Sequence, residues 1–109
     1  MVSIALVYIT TSGEDEAKAI AHTLVRERLA ACANILGAIR SVYWWEGEVE
    51  EGEEVSLVLK TKAELVERLT ARVKALHSYA VPCVVALPIR GGNRDFLEYV
   101  EKETVSGSA

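Results

Sequence analysis

Residues 41–61 run Ser-Val-Tyr-Trp-Trp-Glu-Gly-Glu-Val-Glu-Glu-Gly-Glu-Glu-Val-Ser-Leu-Val-Leu-Lys-Thr, an order that a helix accommodates poorly and a β-hairpin accommodates well. Aromatic and β-branched residues on the left, and Val55, Leu57 and Leu59 in alternation on the right, suit a pleated surface. Gly47, Gly52 and the clustered glutamates between them do not. A turn or bulge is therefore expected near residues 46–51, with the third strand beginning at residue 54. The remaining chain must pack around this hairpin.

Upstream, residues 3–10 are almost continuously apolar with β-branched members, which reads as a strand covered on both faces. Ser12 followed by Asp15 resembles a capping box. Ala17, Ile20, Ala21, Leu24, Val25 and Leu29 then recur at helical spacing, so a helix is expected over 14–29. Its far face carries Lys18, His22 and Arg26, and His22 is most simply a solvated histidine. Residues 31–45 form a second extended run interrupted by Gly37, where a missing side chain tolerates a bulge.

Downstream, Thr61 and Glu64 have capping-box spacing, and Leu65, Val66, Leu69, Val73 and Leu76 form an apolar stripe, which predicts a helix over 62–77. Pro82 bars further helix, residues 83–87 read as a fourth strand, and Pro88 to Gly92 ends it. A last helix over 94–102 is expected with Asn93 as its cap.

The order strand, helix, strand, strand, helix, strand, with a terminal helix, is the α+β, ferredoxin-like split βαβ pattern. At 109 residues the chain is expected to be a single domain, 1–109. Two crossover helices cover one face of such a sheet, yet residues such as Val7 and Ile39 are expected to form an apolar second face that needs a cover. That leftover face points to self-association.

The motifs Ala31-Cys32-Ala33-Asn34-Ile35, Ser41-x-Tyr43-x-Trp45-x-Gly47-x-Val49-Glu50 and Leu59-Lys60-Thr61 fall in the order of one family. The chain resembles the CutA proteins, the divalent-cation tolerance family, over nearly its whole length. The resemblance implies a homotrimer whose sheets pack around a threefold axis. It also implies ligand clefts between subunits near Cys32, Tyr43, Trp45, Glu50, Lys60 and Tyr79. His77, Tyr79 and Pro82 match the family's His-Pro-Tyr-Glu-x-Pro segment, while Ser78 and Ala80 depart from it, and Ala80 removes a carboxylate. Cys83 stands where many relatives have glutamate, and Ile9 lies in a region where relatives often place a cysteine.

Read on chemistry alone, the segment 77–83 puts an imidazole, a phenol and a thiol on one tight connection. His77 and Cys83 together suit copper or another soft divalent cation, while a helix-end histidine that caps carbonyls fits the same spacing. The glutamates of residues 46–54 offer oxygen to hard cations, but lack the alternating Asp/Asn/Gly of a calcium loop, so a solvated hairpin tip is favoured. Tyr43, Trp45 and Tyr79 at strand ends fit a core or interface as readily as a ligand.

Other classes fare poorly. A net charge of -4 gives no basic patch for nucleic acid. Residues 10–15, Thr-Thr-Ser-Gly-Glu-Asp, would repel the phosphate that an acylphosphatase holds after its first strand. Ser56 to Leu59 offer no aromatic on which RNA bases could stack. No Ser/His/Asp set or Walker loop is visible, so no enzymatic activity is expected. The apolar first residues lack a basic leader and soon meet Glu14, Asp15 and Glu16, so no membrane span is expected, and the cytoplasm is. There, Cys32 and Cys83 should be reduced. The expected role is copper or divalent-metal tolerance by a trimer. The alternatives are a PII-like regulatory trimer holding a small anionic metabolite beside Lys60, and a stable scaffold for another protein.

Overall fold

In the computed structural model, which describes residues 2–106, the chain runs β1 (Ile4–Thr11), α1 (Glu14–Arg26), β2 (Cys32–Trp45), β3 (Glu48–Lys62), a 3-10 turn (Ala63–Leu65), α2 (Val66–Leu76), β4 (Val84–Ile89) and α3 (Arg94–Lys102). The four strands form one antiparallel sheet in the order β2-β3-β1-β4, the ferredoxin-like arrangement that the element order predicts.

Strand alternation sorts the sheet residues. Val7 and Ile9 of β1 pair with Leu59 and Leu57 of β3, and all four are fully buried against Ala17, Ile20 and Leu24 of α1 and Leu69 and Val73 of α2. Each such side chain contributes roughly 1.5–3 kcal/mol of burial, so this layer holds the helices on the sheet. Val7 was expected on the second face together with Ile39. The structure corrects this, because Val7 belongs to the helix-covered layer. The second face carries Leu6, Tyr8, Val58, Ile39, Val85 and Leu87, and the last two are exposed. At one end α3 sets Val100 and Leu97 against Ile4, Ala31 and Ile89. Leu6, Tyr8, Ile39 and Val58 on the rest of that face are only half-buried.

The hairpin is longer than its sequence suggests. Its turn is only Glu46-Gly47, with φ of 50° and 84°, the paired left-handed conformation whose twist matches the flanking strands. Glu48 to Glu54 therefore belong to β3 rather than to a loop, and their acids are split between faces, Glu48, Glu50 and Glu54 on one and Glu51 and Glu53 on the other. A single cation cannot gather them. The bulge expected at Gly37 is present: the register shifts between Ile35 and Gly37, and Gly37 has φ 111°. The fifteen residues of β3, an extended strand of about 3.3 Å per residue before twist and curvature shorten it, account for the long 44 Å axis of the 44 × 26 × 24 Å shape. Its outer half is an arm with Val42, Trp44 and Val49 exposed. Gly47→Ala should lower stability by about 1 kcal/mol, because an L side chain resists φ near 84°. A thermal midpoint equal to that of the parent would contradict it.

Four other expectations are corrected. Ser12 pairs with Glu16 rather than Asp15, since Gly13 is the residue before α1 and Glu16 is the one whose carboxylate reaches back. Thr61 does not cap α2. Its hydroxyl donates to the Leu29 carbonyl at 2.6 Å, and the 3-10 turn leads into the helix instead. Pro88 lies within β4 rather than ending it, which an edge strand tolerates because one row of its amides needs no partner. α1 also stops at Arg26, where Arg28 (φ 60°) turns the chain away. α3 spans the expected residues, and Asn93 Oδ1 accepts from the Asp95 amide at 3.0 Å.

Candidate functional site

The connection from α2 to β4 wraps the sheet end and is held by three side chains. His77, whose side chain is fully buried, has its Nε2 2.8 Å from the Thr10 carbonyl oxygen. A carbonyl only accepts, so Nε2 carries the proton. Nδ1 then accepts the Tyr79 backbone N–H at 3.1 Å. Both ring nitrogens are engaged, and a metal on either would break one of these bonds.

Glu16 is the second anchor. Its Oε1 accepts from the Ser12 N–H (2.9 Å), the Ser12 hydroxyl (2.9 Å) and the Ser78 hydroxyl (3.0 Å), and its Oε2 accepts from the Ser78 N–H at 2.7 Å. Burial opposes its ionisation, but the four donors outweigh that and bring the carboxyl from 4.5 down to about 2. The third anchor is Tyr79, whose hydroxyl donates to Glu54 Oε2 at 2.9 Å. Burial first, then the bond to Glu54 and its charge, push the phenol well above its ordinary range. The Tyr79 ring lies 4.6 Å from that of His77, centre to centre.

Between this connection and the base of the arm lies a cavity of about 570 Å³, lined by Thr10, Ser41, Tyr43, Trp44, Trp45, Glu54, Tyr79, Ala80, Val81 and Cys83. Of the residues named from sequence, the cavity gathers Tyr43, Trp45, Tyr79 and Cys83. His77 lies outside its lining, with its ring against Tyr79. Cys32 sits at the start of β2 opposite Lys60, whose ammonium donates to the Asn34 side chain. Glu50 faces Tyr43 across the arm and is exposed. Cys32 and Cys83 are free, half-buried thiols. Among the described residues no three His, Cys, Asp or Glu side chains come together as a metal would require.

Sequence reasoning missed Glu54, Thr10, Ser41 and Glu16. Once the turn is set at Glu46-Gly47, pairing backwards brings Glu54 opposite Ile39, on the same face as Ser41 and Tyr43. The signal for Glu16 was its place four residues after Ser12, across Gly13.

Residues 5–103 match the family model described as CutA1 divalent ion tolerance protein. The chain is 48% identical over 99 residues to the divalent-cation tolerance protein CutA of Thermus thermophilus, covering 91% of this chain and 96% of that protein. It is 46% identical over 99 residues to a chloroplastic CutA 1 protein of rice, of whose length it spans only 56%. Among solved structures it resembles the Thermus thermophilus divalent cation tolerance protein with a TM-score of 0.91 at 47% identity, covering 94% of this chain and 99% of that one. It resembles rice CutA1 with a TM-score of 0.92 at 45% identity, covering 95% of both. No helix among the described residues is long and apolar enough to cross a membrane.

Proposed function

This chain belongs to the CutA1 divalent ion tolerance family, and on that premise we propose that it is a non-enzymatic homotrimer, one domain per chain, that holds copper or other divalent cations in clefts between subunits. The cytoplasm is its proposed compartment, although the names of relatives include chloroplastic and periplasmic forms. One observation carries the reading. The second sheet face and the arm with Val42, Trp44 and Val49 stay uncovered in one chain, and among its described residues no three metal donors come together. Further copies supply both the cover and the missing ligands.

Cys83 is the soft donor in this reading, because it lines the cavity at the base of the arm. His77 enters it as the anchor of the connection, and would reach a metal only by giving up the Tyr79 amide. The lining speaks against an anionic metabolite, since it includes a carboxylate and no Lys, Arg or His, and Lys60 lies elsewhere.

Sedimentation at micromolar concentration should return three 11.9 kDa chains, and Cu(II) or Zn(II) titration should give sites shared among them. Trp44→Glu combined with Val49→Glu should dissociate the trimer and abolish metal binding together. A monodisperse monomer of the parent, or metal bound as tightly by the dissociated variant, would end the inter-subunit reading.

A further inference from the structure

α3 is tied to the rest of the chain differently from α1 and α2. The apolar cluster beneath it, Ile4, Ala31 and Val100, is separate from the one that joins α1 and α2 to the sheet. Its polar ties gather at one residue. Arg28 Nη1 donates to Glu103 Oε1 at 3.0 Å and to the Glu103 carbonyl at 3.2 Å, and the Arg28 carbonyl accepts the Val105 N–H at 3.0 Å. Arg28 does this in the left-handed region, at φ 60°, which an L side chain resists. Two further bonds are long, from the Tyr99 hydroxyl to the Ala31 carbonyl at 3.4 Å and from Arg68 to the Ser106 carbonyl at 3.3 Å. The link from β4 to α3, Arg90 to Asn93, is exposed throughout and includes Gly91-Gly92.

α3 also covers a charge. Lys62 pairs with Ile4 across the sheet, and Ile4 pairs with Ile89, so the Lys62 side chain rises on the face that α3 covers. Lys62 is only 7% exposed, yet its ammonium makes no hydrogen bond or ion pair among the described residues. Taking an unpaired ammonium out of water costs free energy. Closure of α3 therefore works against part of what it buries.

From these contacts we propose that α3 and residues 103–106 form a lid latched at Arg28, which lifts off the sheet end as a unit while the four strands, α1 and α2 stay folded, and so returns Lys62 to water. The exposed link after β4 is its hinge. Elements with a small core of their own and few ties are the ones that open below the global unfolding free energy. The contacts named lie within one chain, and the cover of the rest of this face is left to the proposed trimer.

Hydrogen exchange of the full chain, in the assembly it forms, reads the opening. The Tyr99 and Val100 amides in the middle of α3 should exchange at least about tenfold faster than those of Val7 and Leu59 in the sheet. Arg28→Ala removes the side-chain latch and should speed α3 exchange by about threefold or more, leaving the sheet amides unchanged. Lys62→Met removes the buried charge and should slow α3 exchange by about tenfold. The Lys62 amine gives a second readout: an acetylating reagent should modify it more slowly than the exposed Lys74 in the parent, and faster in Arg28→Ala while Lys74 keeps its rate. The proposal is overturned if α3 and sheet amides of the parent exchange together, if Arg28→Ala moves both equally, if Lys62→Met leaves α3 exchange unchanged or faster, or if Lys62 of the parent is acetylated as fast as Lys74.

Discussion

Glu16→Gln lowers the stability of the folded chain by up to about 3 kcal/mol at neutral pH and flattens its acid unfolding, as expected from the shift of this carboxyl from 4.5 to about 2. The sign follows from proton counting. The folded-state value is depressed, so below about pH 4.5 the unfolded chain takes up a proton that the folded one refuses. The contribution is therefore complete above that pH and drains away as the pH falls towards 2. The side chain is 14% exposed, but its hydrogen bonds lie at the surface, so solvent screening trims the effect and the full shift sets its upper bound. Glutamine also turns an amide donor towards the Ser12 or Ser78 donors, which the carboxylate satisfied at four points. Urea unfolding at a series of pH values and one protein concentration provides the measurement. A difference between parent and variant that stays constant from pH 6 to pH 2.5, roughly the window of this titration, would show that Glu16 is not the group responsible.

His77→Ala is expected to be as damaging, at about 3 kcal/mol. It empties the space of a fully buried ring and strands the Thr10 carbonyl and the Tyr79 amide. The connection should loosen with it, so Cys83 should react faster with a thiol reagent, while Cys32 at the far end of the sheet should not. Copper affinity per folded chain should stay close to that of the parent. The opposite pattern, full stability with copper binding lost, would make His77 a ligand and not an anchor.

These two residues mark the limit of what the sequence disclosed. The element order and type were legible because apolar periodicity switches between two and 3.6 along the chain, and the Asn93 cap and the Gly37 bulge are local signals that the structure contains. The role of His77 was not local. Its partner carbonyl belongs to Thr10, and no spacing rule relates a helix end to a strand end far back in the chain. Glu54 was hidden by its company, because five neighbouring glutamates read as a solvated tip until the two-residue turn fixes which acids face which way. Val7 was misplaced for the same reason: a continuous apolar strand does not say which of its alternate residues meets the helices.

The pairing register also bears on how the fold is reached in time. β2 and β3 meet across two residues, Glu46 and Gly47, whereas β1 must find β3 past a helix and another strand, and pairing Ile4 with Ile89 brings together nearly the two ends of the chain. Closing a loop costs more entropy as it lengthens, and hairpins close in about 1–10 μs. The arm is therefore the contact a collapsing chain can make soonest. The central strand β1 has to wait for both of its neighbours, so the rate-limiting search is for the placement of Ile4–Thr11 between strands made much later in the sequence.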